Sequence, residues 1–128
     1  MVRIILSIII GAHGIGHILF LVPLLGIADW RQSTRSWLFT NESVARLAGS
    51  LLWLIAIVGF CAAVYGLWNQ LSWWRNAAIL AVVLSTIGLV IFWSNPVTSP
   101  VISALVVNAV VLATLLLFQY PSVETVGT

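Results

Sequence analysis

Residues 4–28 form the stretch that decides the fold, reading IILSIIIGAHGIGHILFLVPLLGIA without any aspartate, glutamate, lysine or arginine. About 20 apolar residues cross the hydrocarbon core of a bilayer as a helix, which rises about 1.5 Å per residue. In lipid such a segment must be helical, because only a helix satisfies its own backbone polar groups. The apolar run is longer than the core of a secretory signal, which has about 7–15 residues. We therefore expect a retained membrane-spanning helix.

Three further stretches have the same length and character. They cover residues 44–68, 76–94 and 101–120. The second and third links are short, and short links place neighbouring helices antiparallel. The sequence therefore predicts one all-α membrane domain over residues 1–128, a four-transmembrane-helix up-down bundle. The longer link, residues 29–43, is expected to lie at the membrane interface.

The composition excludes most soluble functions. The chain has 128 residues, of which 62% are hydrophobic and 6% are charged, whereas a soluble domain has about 25% charged residues. Its mean hydropathy is +1.16, and its pI of 9.3 reflects a net charge of only +2. Soluble enzymes, disordered tails and nucleic-acid-binding domains are excluded on these grounds. We expect a multi-pass protein of the bacterial inner membrane that does not bind nucleic acid.

Aromatic residues mark the ends of the expected helices. Trp and Tyr concentrate at the two membrane–water interfaces of membrane proteins. The chain places such residues near expected helix ends at Trp30, Trp37, Trp68, Trp73, Trp74, Trp93 and Tyr120, whereas Trp53 falls inside the second helix. In the first link, Asp29 and Gln32 have the spacing of a capping pair, which allows a short interfacial helix. A plain loop with scattered aromatic residues is the alternative.

The candidate site is the segment Gly11-Ala12-His13-Gly14-Ile15-Gly16-His17, which contains both histidines of the chain. Residues four apart share one helix face. Ionisable residues at this depth are costly and usually face the bundle interior or a cavity. Glycine allows another backbone or a flat cofactor to approach closely.

Three interpretations of the histidines remain open. Neutral imidazoles that hydrogen-bond to neighbouring helices would have a structural role. Alternatively, His13 or His17 would ligate a haem or a (bacterio)chlorophyll, with bis-histidine haem ligation requiring a homodimer. The third interpretation is proton or quinone chemistry, for which histidine is a natural relay. A zinc site is disfavoured, because zinc needs about four ligands.

Asn108 is the only amide residue more than one helical turn inside an expected span, and we include it with His13 and His17 as a cofactor-binding candidate. Counting from the helix ends at 1.5 Å per residue places His17 about 16 Å deep and Asn108 about 10 Å deep from the same side. Buried amides seek partners on neighbouring helices. We therefore predict that His17 and Asn108 face the bundle interior and pair with each other.

The opening of the chain resembles the small four-helix membrane proteins of the DoxX-like group. The residues that carry the resemblance are Arg3-Ile-Ile-Leu, Gly11-Ala-His13-Gly14 and His17-Ile-Leu-Phe, followed by three further spans. The resemblance covers the first helix and the topology. It implies a four-helix bundle, in some members associated with terminal oxidase or redox complexes, and it assigns no catalytic residue.

The sequence predicts a non-catalytic accessory subunit of a larger respiratory or photosynthetic membrane complex. The reasons are the small size, the scant mass outside the spans and the many small residues suited to close helix packing. Expected partners are the lipid bilayer, other membrane subunits and a second copy in a homodimer. The alternative is a stand-alone DoxX-like redox protein that binds quinone or haem at His13 and His17.

Overall fold

The computed structural model describes residues 1–94 and 96–126, and all regular secondary structure in that part is helical. Four runs of helix are long and apolar enough to cross a membrane: Val2–Leu24, Glu42–Trp68, Trp74–Ile91 and Ser99–Leu117. The all-helical class and the four helices of spanning length are therefore confirmed. The elements are α1 (Val2–Gly16), α2 (Ile18–Leu24), α3 (Glu42–Trp68), α4 (Trp74–Ile91), α5 (Ser99–Leu112) with a π-helical end (Ala113–Leu117), and α6 (Val123–Val126).

Contacts at the helix ends show that α3 runs antiparallel to α1 and α2. At one end of the molecule, the Arg3 guanidinium donates to the Trp68 carbonyl at 3.2 Å. At the other end, Arg46 Nε donates to the Leu24 carbonyl at 3.1 Å. A cation at the last carbonyls of a helix is also favourable for the helix dipole. Arg46 therefore joins the start of α3 to the end of α2.

The helices α4 and α5 continue the alternation. The start of α4 lies at the end of α5's π-helical extension, where Arg75 donates to the Gln119 and Pro121 carbonyls at 3.4 and 2.6 Å. After this point the chain turns back, and α6 places Val126 against the core with 1% exposure. The bundle therefore runs up, down, up and down.

Glycines allow aromatic rings to fill the interior between helices. A Cβ on Gly14 would collide with Phe60, and a Cβ on Gly88 would lie 2.8 Å from the Trp53 ring. Phe60 and Trp53 are at most 1% exposed. These two glycines therefore permit α1 and α4 to approach the large side chains of α3.

The first span ends at Leu24, four residues before the end of the expected helix at residue 28. Gly26 has a φ of +73°, and its N–H donates to the Pro23 carbonyl at 3.0 Å. The Ile27 N–H donates to the Val22 carbonyl at 3.2 Å. This pair of bonds is the Schellman motif, which stops a helix where glycine takes the left-handed conformation.

The first link is irregular. Residues 28–41 contain no helix, so the short helix suggested by Asp29 and Gln32 is wrong. Asp29 instead accepts the Arg31 N–H at 2.9 Å, a local turn that competes with helix initiation. Two contacts tie the link to the bundle: Trp37 Nε1 donates to the Val90 carbonyl at 2.7 Å, and Thr98 donates to Gln32 at 3.0 Å.

Most aromatic residues expected near helix ends lie at the outer surface. The exposed fractions range from 42% to 67% for Trp30, Trp37, Trp68, Trp73, Trp93 and Tyr120. Trp74 differs, because it is 1% exposed and belongs to the core together with Phe60. Trp53, which falls outside the expected pattern, is also buried.

Candidate functional site

The structure brings His13, His17 and Asn108 together in the interior of the bundle. His17 and Asn108 are each 1% exposed, which confirms that both face inward. His13 is half-buried beside them. The three residues belong to one hydrogen-bonded cluster with Ser85 and Thr86 of α4, and we call these five residues the polar cluster.

The side chain of His17 explains the break between α1 and α2. Its Nδ1 lies 2.8 Å from the carbonyl oxygen of His13, the group that would accept the His17 N–H in a regular helix. The His17 N–H donates to the Gly14 carbonyl instead, at 3.2 Å. The imidazole thus takes over a backbone acceptor, and the helix tightens locally at this residue.

Asn108 links the two ends of the polar cluster. Its Oδ1 lies 2.7 Å from His13 Nε2, and its Nδ2 donates to Ser85 Oγ at 2.9 Å and to Thr86 Oγ1 at 3.0 Å. The Thr86 hydroxyl donates to the Val82 carbonyl, so its oxygen can only accept from Asn108. This requirement fixes the orientation of the amide, and His13 must therefore carry its proton on Nε2.

Ser85 completes the circuit at His17. Ser85 Oγ lies 2.5 Å from His17 Nε2. Because His17 Nδ1 faces a carbonyl oxygen, it must carry the proton, which leaves Nε2 to accept the Ser85 hydroxyl in the neutral imidazole. The circuit runs from His13 through Asn108, Ser85 and His17 back to the His13 carbonyl. The two histidines are consequently opposite tautomers.

Aromatic rings of α2 and α3 surround His17. The His17 ring centroid lies 5.3 Å from Trp53, 5.4 Å from Phe60 and 6.0 Å from Phe20. Phe20 and Trp53 also stack on each other at 5.0 Å. Close packing by apolar rings excludes water, and a hydrogen bond is stronger where the local dielectric is low. Both ring nitrogens of His17 form hydrogen bonds, one with the His13 carbonyl and one with Ser85, and the surrounding rings strengthen both bonds by excluding water.

The prediction that His17 and Asn108 pair directly with each other is wrong. Asn108 bonds to His13, and it reaches His17 only through Ser85. The depth count assumes span ends at residues 28 and 101, whereas the first span ends at Leu24 and the last begins at Ser99. From the observed ends, Asn108 is about 14 Å deep, midway between His13 at about 16 Å and His17 at about 10 Å, so depth alone does not choose between the two histidines.

Ser85 and Thr86 are the members of the cluster that sequence reasoning missed. Serine and threonine inside helices commonly bond to their own backbone. Thr86 does so, at 2.8 Å from the Val82 carbonyl, while also accepting from Asn108. Ser85 makes its bonds across to His17, at the junction of α1 and α2, and to Asn108 of α5, and it is completely buried. A depth count that included α4 would have placed Ser85 near Asn108.

A cleft of about 160 Å³ opens beside the polar cluster, between α1 and α5. Its lining includes Ala12, His13, Gly16, Ser103, Ala104 and Val107. Ala12 and Ser103 are exposed, so the cleft opens onto the outer surface of the bundle. The His13–Asn108 hydrogen bond joins the two helices at this cleft.

The hydrogen bonds that the ring nitrogens of His13 and His17 already form limit which ligands these residues can bind. Both ring nitrogens of His17 are engaged, so metal coordination there would require breaking the circuit. His13 uses Nε2 for Asn108, and within the described part of the chain its Nδ1 has no hydrogen-bond partner. No group of three His, Cys, Asp or Glu that could hold a metal ion occurs in residues 1–94 and 96–126. His13 is therefore the histidine available to a ligand.

No family model, curated protein or solved structure matches the chain. The resemblance to the DoxX-like group stays a prediction that rests on the first helix and the topology.

Proposed function

We propose that the protein is a small non-catalytic accessory subunit of a larger respiratory or photosynthetic complex in a bacterial inner membrane. The observation that carries the proposal is the closed polar cluster. Its histidines, the residues best suited to chemistry, are engaged in joining α1, α4 and α5. A structural use of these groups suits a subunit whose task is to pack against lipid and neighbouring subunits.

The outer surface supports insertion into a bilayer. Large apolar side chains are exposed along every long helix, for example Ile8, Val58, Leu80 and Val110 at 58–63% exposure. The exposed tryptophans near the helix ends have the placement of an interfacial belt. In water such a surface would aggregate. Lipid, together with other membrane subunits or a second copy, would cover it.

Mild purification from the native membrane tests the proposal. The accessory role predicts a particle far heavier than the 13.9 kDa chain that contains other subunits in fixed stoichiometry. Those subunits would identify the complex. A bare monomer or homodimer, obtained in lipid nanodiscs as well as in detergent, would contradict the proposal.

The cleft beside His13 favours a second candidate, a stand-alone redox protein that binds quinone or haem. A cavity of about 150 Å³ holds a benzene molecule, and the cleft of about 160 Å³ is of that size. A single quinone ring suits this volume better than a haem or chlorophyll macrocycle. His13 lines the cleft and keeps Nδ1 without a partner among the described residues, whereas His17 forms hydrogen bonds through both ring nitrogens.

Solvent extraction of the purified protein tests the second candidate. Co-purification of quinone at a stoichiometric level would support it, provided that the protein with a filled cleft, Gly16→Phe, carries none. A wild-type protein that carries no more quinone than the surrounding lipid would contradict it.

A further inference from the structure

We propose that the cleft between α1 and α5 binds a lipid-soluble molecule through a single ring that bears a hydroxyl group, of the phenol or hydroquinone class. The inference rests on the second candidate function and names the ligand chemistry at the same place. It depends on three features of the cleft: its position, its size and the hydrogen-bonding character of its polar atoms.

The position of the cleft admits a ligand from lipid. His13 lies 11 residues before the end of the first span at Leu24, about 16 Å along the helix. That depth is about the middle of a hydrocarbon core about 30 Å thick. A molecule dissolved in the membrane would reach the cleft sideways, past the exposed residues Ala12 and Ser103.

The space beside Gly16 is free of neighbouring side chains. A Cβ built on Gly16 has no atom within 4 Å, whereas a Cβ on Gly14, two residues earlier, collides with Phe60. Gly14 is therefore required for helix packing, but Gly16 leaves room that the bundle itself does not fill. Phe20 is also among the residues that line this cleft, and aromatic rings pair favourably with one another.

The polar atoms around the cleft accept hydrogen bonds. His13 donates its only ring proton to Asn108 and keeps the lone pair of Nδ1. The Ser103 hydroxyl donates to the Pro100 carbonyl at 3.1 Å, and its oxygen can still accept. The Phe20 N–H donates to His17 rather than to Gly16, so the Gly16 carbonyl lacks its usual helical donor. Such a lining selects a ligand that donates, so of the two redox forms of a quinone it favours the hydroquinone, whose hydroxyl donates, over the oxidised form, whose carbonyls only accept.

Two matched probes test the inference in nanodiscs by ¹⁹F NMR titration. The first probe is 4-(trifluoromethyl)phenol, and the second is (trifluoromethyl)benzene, which lacks the hydroxyl. We expect the phenol to bind saturably at one site per chain and about fivefold or more tighter than the benzene, since one net hydrogen bond is worth about that factor. Empty nanodiscs give the background from partitioning into lipid.

Two phenylalanine variants locate the site. Gly16→Phe places a ring of ligand size in the cleft, and we expect it to weaken phenol binding by at least about tenfold. Ile15→Phe adds the same ring at the neighbouring residue, which is 59% exposed on the outer surface, and should bind as the wild type does. The fold of each variant is checked by circular dichroism and by its thermal midpoint.

The outcomes separate this inference from the function on which it rests. If both probes bind equally and Gly16→Phe blocks both, ring binding in the cleft holds and hydroxyl recognition is overturned. If Gly16→Phe leaves phenol binding unchanged, or if neither probe binds above the lipid background, both the inference and the second candidate are overturned. Neither result bears on the accessory role, which the mass of the native particle tests.

Discussion

Asn108 stabilises the polar cluster by satisfying three partners on two other helices. Its amide accepts from His13 and donates to both Ser85 and Thr86. Buried groups that lose a partner cost about 1–3 kcal/mol each in soluble proteins. Interhelical bonds in a membrane are weaker, at about 0.6 kcal/mol on average. The amide is therefore important because several partners depend on it at once.

Asn108→Leu is expected to lower the free energy of unfolding by about 1–3 kcal/mol, because the His13 Nε2–H loses its acceptor and the Ser85 and Thr86 oxygens lose the amide donor. Asn76→Leu is the control, since Asn76 is an exposed amide on α4 and its replacement should change stability by less than about 0.5 kcal/mol. Unfolding in detergent with increasing denaturant measures both. Equal stability of the two variants would show that the cluster does not stabilise the bundle.

The two glycines beside the histidines should respond in opposite ways to alanine. Gly14→Ala forces a methyl group against Phe60 and is expected to cost about 1–3 kcal/mol through overpacking. Gly16→Ala meets open space and is expected to gain up to about 1 kcal/mol from the higher helix propensity of alanine. Thermal unfolding in the same detergent compares them. A destabilised Gly16→Ala would contradict the open cleft.

At the level of single residues, depth counting predicts the inward orientation of His17 and Asn108 but misses their connection. With the observed span ends, Asn108 lies midway in depth between His13 and His17, so depth alone does not identify its partner. The role of Ser85 is not predicted, because a serine within an apolar helix usually forms a hydrogen bond to the backbone of its own helix. Only the arrangement of three helices shows that its hydroxyl lies between an amide and an imidazole.

At the scale of elements, local chemistry at the helix ends determines where each span stops. The first span ends in a Schellman motif at Gly26, and α3 ends in the same way: Gln70 has a φ of +57°, and the Leu71 N–H donates to the Gly66 carbonyl at 2.8 Å. Hydropathy continues through Ile27 and Ala28, so an apolar pattern alone overestimates the first helix.

Gly26→Ala is expected to destabilise the junction between α2 and α3 by about 1–2 kcal/mol. A side chain in the left-handed conformation costs about 1–2 kcal/mol, and a Cβ at this position would lie 2.8 Å from the Arg46 guanidinium. Gly11→Ala is a suitable control, because its Cβ meets Val64 at an ordinary 3.6 Å. The thermal midpoints of the two variants measure the difference. A loss of stability in Gly11→Ala as large as that in Gly26→Ala would argue against a specific role of the helix end.

The first link shows why the sequence cannot decide between a short helix and a loop. Asp29 and Gln32 have the correct spacing for helix initiation, but the same aspartate side chain accepts a local bond from the Arg31 N–H. The link is positioned by remote partners, Val90 and Thr98, which the local pattern does not reveal. By contrast, the spans themselves are predicted well because their length and hydropathy are properties of contiguous residues.

At the scale of the whole molecule, Cys61 reports membrane insertion. It is the only cysteine, lies in the interior of α3 and is exposed on the outer surface of the bundle. A thiol surrounded by hydrocarbon is out of reach of a reagent that stays in water. We expect a water-soluble maleimide to leave Cys61 unmodified in intact membranes and to label it after denaturation in SDS.

A relocated cysteine provides the matched control. In the variant Cys61→Ala with Ser43→Cys, the thiol lies at the exposed start of α3 and should react when the reagent is present on that side. Labelling is read by mass shift with reagent on both sides of opened vesicles. Rapid modification of native Cys61 would contradict insertion of α3 into lipid.

Both the structural role of the histidines and the acceptor character of the cleft depend on the closed circuit among His13, Asn108, Ser85 and His17. The most direct measurement is ¹⁵N NMR of histidine-labelled protein in nanodiscs, with signals assigned by comparison with His13→Gln. The closed circuit requires two neutral imidazoles of opposite tautomer, His13 protonated on Nε2 and His17 protonated on Nδ1. Two histidines of the same tautomer, or a doubly protonated ring at neutral pH, would contradict it.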